Sequence, residues 1–140
     1  MSQGVTIGQA SKASGIKPPT IRYYEQIQLL PSPPRTEGNR RLYDDGDLRR
    51  LRFIRHAREL GFEIEPIREL LALAGDPNGP CETADSIARA HLDDIDHKIA
   101  RLTALRVEVA RMANCPNGST ADCRVIEVLG DHSGCLSDTH

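Results

Sequence analysis

The sequence predicts a mainly α protein: a head of short helices, one long helix, and a short cysteine-bearing C-terminal segment. Three observations predict it. Short apolar-periodic stretches, each closed by Gly or Pro, fill residues 1–75. From about Thr83 to Ala113, apolar residues then recur at heptad spacing with no breaker. Cysteines bracket that stretch, with Cys81 before it and Cys115 and Cys123 after it. Hydrophobic residues make up 39% of the 140, but aromatics only 4% and Trp none, so helix pairing and dimerisation are expected to supply part of the burial.

Thr6-Ile7-Gly8-Gln9 has the pattern of a capping box, and it opens a first helix from about Ile7 to Ala13 that Gly15 ends. Pro18-Pro19 starts a second helix, which carries Thr20, Ile21, Arg22, Tyr23, Tyr24 and Glu25 and stops before Pro31. Two short helices around a tight glycine-containing turn read as helix-turn-helix. Residues 31–43 contain Pro31, Pro33, Pro34, Gly38 and Asn39 and cannot be helical; Arg40-Arg41-Leu42-Tyr43 fits the return strand of a short hairpin, a wing. A third helix begins near Asp44 to Asp47, places Leu48, Leu51, Phe53, Ile54, Ala57 and Leu60 at largely helical spacing, and stops at Gly61. A fourth runs from about Glu65 to Ala74. The breaker Gly75-Asp76-Pro77-Asn78-Gly79-Pro80 marks a domain joint.

In the long helix, Leu92, Ile95, Ile99, Leu102 and Val109 form a seam that Arg106 weakens. Val125, Ile126, Val128 and Leu129 then make a short apolar helix, followed by a polar tail from Gly130. The expected organisation is a winged helix-turn-helix DNA-binding domain at 1–75, a dimerisation helix at 76–114 that pairs as an antiparallel coiled coil, and a metal-binding loop, short helix and tail at 115–140.

The net charge of −2 conceals an asymmetry. Residues 1–60 carry 11 Lys/Arg against 6 Asp/Glu, a net +5, whereas residues 61–140 carry 7 against 14, a net −7. A basic head on an acidic body fits contact with double-stranded DNA. The expected contacts are Thr20, Arg22, Tyr23 and Tyr24 on the second helix and Arg35, Arg40, Arg41 and Tyr43 on the wing. No apolar run approaches 18 residues and no signal-peptide pattern is present, so a soluble cytoplasmic protein without membrane contact is expected.

Four cysteines in a reducing compartment read as ligands or thiols rather than disulfides. Thiolates bind soft or borderline cations, and the positive end of a helix dipole, near both Cys81 and Cys123, favours the anionic form. A helix from Thr83 to Ala113 would be about 45 Å long, so Cys81 cannot share an ion with Cys115 and Cys123 of its own chain. Two antiparallel copies would bring these residues together at a shared site. His91, His132, Cys135 and His140 form a second, looser set. No nucleophile elbow, phosphate loop or H-E-x-x-H pattern is present, so an enzyme is not expected.

Thr6-Ile7-Gly8-Gln9-Ala10, Thr20-Ile21-Arg22-Tyr23-Tyr24-Glu25, Leu29-Leu30-Pro31, Gly38-Asn39-Arg40-Arg41-Leu42-Tyr43 and Ala57-Arg58-Glu59-Leu60-Gly61-Phe62 together resemble the MerR family of metal-responsive transcription regulators, over about residues 5–129. The resemblance implies a homodimer that distorts a promoter whose recognition elements are too widely spaced, so that RNA polymerase engages both. It implies wing phosphate contacts through Arg35, Arg40, Arg41 and Tyr43. A Cys at the position of Cys81 resembles the sensors of zinc, cadmium, lead and mercury, whereas copper(I) and gold sensors of this type carry Ser there. The effector expected is a divalent ion: Zn, Cd or Pb. The Cys115–Cys123 loop resembles that of copper sensors, and the tail histidines resemble those of cadmium and zinc sensors. The alternatives are a Cu(I) sensor using Cys115 and Cys123 alone, a metal carrier or storage protein without specific DNA binding, and a redox regulator pairing Cys115 with Cys123.

Overall fold

A computed structural model describes residues 4–38, 40–113, 120 and 123–131. Six helices follow in order: α1 (Ile7–Ser14), α2 (Pro18–Gln26), α3 (Asp45–Glu59), α4 (Ile64–Ala74), α5 (Cys81–Met112) and α6 (Arg124–Gly130). The chain divides into two compact units, Met1–Ile87 and Ala88–His140, and α5 contributes to each.

The ends of the head helices are set by local chemistry. The Gln9 amide donates to Thr6 Oγ1 at 3.2 Å and the Thr6 amide donates to Gln9 Oε1 at 2.9 Å, the reciprocal bonds of a capping box. At the other end of α1, Gly15 adopts φ 77° and its N–H donates to the Ser11 carbonyl at 2.7 Å. Pro18 and Pro19 occupy the first turn of α2, where no amide donor is needed. Asp44 and Asp47 cap α3 reciprocally, at 2.8 and 3.0 Å. Burial pushes the Asp47 carboxyl up, against the lowering effect of its backbone bond to Asp44. Gly61, at φ 89°, follows the end of α3.

The head core is one cluster in which Ile21, Leu29, Leu30, Tyr43, Leu51, Ile54 and Ile67 are fully buried, with Ala10, Tyr24, Leu48 and Leu71 around them. On α3, Leu48, Leu51, Ile54 and Ala57 form the buried stripe. Phe53 and Leu60, expected on that stripe, are 37% and 57% exposed. Phe53 lies one residue off the row of Leu48, Leu51, Ile54 and Ala57 and instead lines a groove with Leu70 and Leu73 of α4, while Leu60 is the C-cap residue, past the last turn of α3.

Arginines from α3 and α4 hold carbonyls at the ends of α1 and α2 and in the segment that follows α2. Arg55 Nη1 donates to the Ser14 carbonyl at 3.1 Å, Arg50 Nε to Leu29 at 2.9 Å, and Arg68 Nη2 to Ile27 at 2.8 Å. Helix C-termini leave carbonyls without intrahelical partners, and a cation there also complements the macrodipole. Part of the basic charge of the head therefore works as internal scaffolding.

In the second unit, α5 continues without interruption. Helix α5 has 32 residues in all, a length of about 48 Å. Leu92, Ile99, Leu102 and Val109 of its seam are each more than half exposed, and only Glu108 and Met112 are buried. An i, i+4 pair between Asp94 and Lys98 at 2.9 Å lies on its surface and draws the Asp94 carboxyl below its usual range. Near its end, Glu108, Arg111 and Met112 line a cavity of about 300 Å³ together with Arg124, Glu127 and Val128 of α6. Ile126 and Leu129 of α6 are exposed. No described helix is long and apolar enough to cross a membrane.

Two glycines, Gly8 within α1 and Gly15 at its C-cap, separate conformational cost from steric cost. A Cβ at Gly15 would sit 1.7 Å from Arg55 Nη1 on a left-handed backbone, whereas one at Gly8 meets nothing nearer than Thr6 Oγ1 at 3.9 Å. Gly15→Ala is expected to cost about 2 kcal/mol, from strain plus loss of the Arg55 bond, and Gly8→Ala to gain about 0.5 kcal/mol. Urea unfolding of the two variants checks the opposite signs; equal effects would refute the assignment.

Candidate nucleic-acid interface and thiol positions

The hairpin predicted between α2 and α3 forms through an antiparallel bridge between Arg35 and Arg41. The Thr36 amide donates to the Arg40 carbonyl at 2.8 Å, and the Leu42 amide to Pro34 at 2.9 Å. Thr36 Oγ1 accepts from the Arg40 amide at 3.2 Å, within the turn. Beyond the hairpin, Tyr43 and Val5 exchange both backbone bonds at 2.8 Å, which ties the hairpin exit to the segment before α1.

These connections bring α1, α2 and the hairpin to one shallow groove of about 360 Å³, lined by Thr6, Ile7, Arg22, Arg40 and Arg41. Of the expected contact residues, Arg22, Tyr23, Arg35 and Arg40 are exposed, while Thr20 and Arg41 are half-buried. Tyr23 is 50% exposed, and its ring lies 6.1 Å from that of Tyr24 at 49°. An exposed aromatic and several guanidiniums on one face can meet sugar and phosphate.

Tyr24 and Tyr43 are placed differently from that expectation. Tyr24 is 7% exposed and Tyr43 is fully buried. Tyr24 follows Ile21 at i+3 on the buried face of α2, and the Tyr43 hydroxyl turns inward to donate to Glu25 Oε1. Neither ring stands on the exposed surface of the single chain. Burial raises the Tyr24 hydroxyl above its ordinary value of 10.0. It raises Tyr43 far above the same value, with the Glu25 bond adding to the rise and Arg41 and Arg22 opposing it.

Glu25 is the residue the sequence reading passed over. It is 8% exposed and accepts two bonds, one from Tyr43 and one from Arg41 Nε at 2.7 Å. The signal was present: Ile21, Tyr24 and Glu25 stand at i, i+3 and i+4, so a carboxylate falls on the buried stripe and must find donors there.

Cys81 is the first residue of α5 and is exposed; it was expected just before the helix. Its neighbours Phe53, Leu70, Leu73, Ala74, Gly79, Pro80 and Ala84 line an apolar groove of about 280 Å³ with it. Cys123 is half-buried at the N-cap of α6 and makes no side-chain cap bond. Cys115, His132, Cys135 and His140 lie outside the described residues. His91 is half-buried on α5. Among the described residues, no three His, Cys, Asp or Glu side chains come together as a metal-binding group.

Two helices around a glycine turn, a hairpin behind them and a shared arginine-lined groove define a winged helix-turn-helix DNA-binding head. The chain belongs to the MerR family: it matches the description "MerR HTH family regulatory protein" over residues 5–74 and "MerR, DNA binding" over residues 48–112. It is 40% identical over 138 residues to the HTH-type transcriptional regulator ZntR of Escherichia coli (strain K12), covering 92% of this chain and 98% of that one. It is 39% identical over 130 residues to heavy metal-dependent transcription regulator 2 of Rhizobium meliloti (strain 1021), covering 92% and 88%. Its fold matches the crystal structure of the transcription regulator PbrR691 from Ralstonia metallidurans CH34 in complex with lead(II) at a TM-score of 0.75 and 34% identity, covering 89% of this chain and 98% of that one.

The buried Tyr43 hydroxyl carries a pH signature. Its folded-state pKa lies above its unfolded value of about 10, so its contribution to stability is complete below pH 10 and is lost as pH rises beyond it. Chemical denaturation between pH 8.5 and pH 11, on the order of one unit either side of that value, is expected to show a steeper alkaline loss for the natural chain than for Tyr43→Phe. Identical slopes would contradict the assignment.

Proposed function

We propose that this protein is a metal-responsive transcription activator. It acts in the cytoplasm as a homodimer on double-stranded promoter DNA and turns on metal-resistance or efflux genes. The carrying observation is the exposed Cys81 thiol on the first residue of a 32-residue helix, with a second thiol at the N-cap of α6. Sulfur donors suit Zn(II), Cd(II) or Pb(II). Cys81 of one chain, with Cys115 and Cys123 of a second, would hold the ion; His91, His132, Cys135 and His140 would make a second set.

The dimer reading rests on the α5 seam, whose apolar residues stand exposed in the single chain. Antiparallel pairing would cover that seam and supply thiols from opposite helix ends. The DNA reading rests on the arginine-lined groove and the family. Arg22 and Tyr23 on α2 would face the major groove, while Arg35, Arg40 and Arg41 would hold phosphates. A bound ion would cross-link the two chains, and the heads would then change the twist and bend of the promoter so that RNA polymerase engages both of its elements. The relatives support a metal effector through their names: a heavy metal-dependent regulator, and a regulator whose structure contains lead(II).

Cys81→Ser is the test. Metal affinity for Zn, Cd and Pb is expected to fall at least ~100-fold, the upper end of what losing even an outer-shell partner costs. Promoter binding is expected to stay within about twofold, since no phosphate contact is lost. Normal induction by every divalent ion in the variant would overturn the three-thiolate site. Tight Cu(I) binding indifferent to the change would assign the protein to copper sensing through Cys115 and Cys123. Absence of promoter binding by the natural chain at low salt would make it a metal carrier.

A further inference from the structure

Every polar side chain lining the DNA-facing groove is neutral or cationic except for the acid behind it. A carboxylate near phosphates repels them, so Glu25 on α2 would oppose DNA binding if charge alone mattered. Its geometry gives it a different task. Glu25 is buried, and both of its oxygens are engaged: Oε1 by the Tyr43 hydroxyl and Oε2 by Arg41 Nε at 2.7 Å. Arg41 lines the groove with Arg22 and Arg40, and 28% of its side chain remains exposed. Engagement through Nε leaves the two terminal nitrogens of the guanidinium to donate elsewhere.

We propose that Glu25 is a positioning residue for DNA binding: anchored by Tyr43, it aims the Arg41 guanidinium into the groove shared with Arg22, so that α2 and the wing present one preorganised phosphate site. The inference rests on the DNA-binding reading above. Three features make the device rigid. The acceptor sits on a helix, the Tyr43 backbone is bonded twice to Val5, and Arg41 sits in the hairpin bridge with Arg35. An arginine held in this way loses less side-chain freedom on meeting a phosphate than one that swings in solvent. A lone surface arginine would orient only on binding.

The test uses the full-length protein and its own upstream DNA, with binding measured across a range of salt concentrations. Coulomb repulsion alone predicts that Glu25→Gln, which removes one negative charge, binds more tightly. Positioning predicts the opposite sign: affinity about tenfold weaker, with the salt slope reduced by about 0.9, the value of one phosphate contact. Arg41→Ala is expected to behave alike, and the double variant Glu25→Gln/Arg41→Ala to bind no more weakly than Arg41→Ala alone. Tyr43→Phe, which keeps the ring and removes only the anchoring hydroxyl, should show a smaller loss in the same direction; it carries the test if Glu25→Gln fails to fold. Tighter binding by Glu25→Gln, an unchanged salt slope, or additive losses in the double variant would overturn the proposal and leave Glu25 a purely structural residue. If the natural chain shows no salt-dependent DNA binding, the DNA reading itself falls, and this inference with it.

Discussion

A carboxylate taken out of water must be met by donors, and in this head that constraint organises three segments at once. Glu25 lies on the buried face of α2, and its donors come from Arg41 on the hairpin and Tyr43 at the hairpin exit. Leaving either oxygen unpaired in the interior would cost on the order of several kcal/mol. The hairpin can therefore occupy only registers that deliver a guanidinium and a hydroxyl together. Because Tyr43 is also bonded to Val5, the same constraint reaches the start of α1, and the groove between these segments inherits its shape.

The fold was legible where the controlling chemistry is local. The Thr6–Gln9 box, the prolines of α2, the Asp44–Asp47 pair and the glycines at 15 and 61 each act within a few residues of themselves, and the observed helix boundaries follow them closely. Tertiary roles were harder to read. A tyrosine carries both an apolar ring and a polar tip, so composition could not place Tyr24 inside rather than on the outer face of α2, nor Tyr43 inside rather than on the wing surface. Phe53 and Leu60 fit helical spacing in the sequence, yet Phe53 stands one residue off the buried row and Leu60 lies past the end of α3. Glu25 was hidden by its chemistry, since an acid is ordinarily assigned to solvent unless its helical face is examined.

The thiol positions were legible in part for the same reason. A breaker followed by an uninterrupted heptad pattern places Cys81 at the start of a helix, and the structure puts it on the first helical residue, at the edge of an apolar groove. The α5 seam stands exposed in the single chain. Its side chains are patterned for a surface that another helix would complete, and this is why the functional reading invokes two copies. Thiolates gathered from two chains would make the effector site a property of the assembly rather than of either polypeptide.

The arginines that clamp α1 and α2 bear on how this head meets a polyanion in solution. Arg50, Arg55 and Arg68 are engaged with backbone carbonyls, and for Arg55 and Arg68 these lie at the negative ends of α1 and α2. The cations left to meet a polyanion include Arg22, Arg40 and Arg41, which share one groove, so close docking is favoured at that edge of the head.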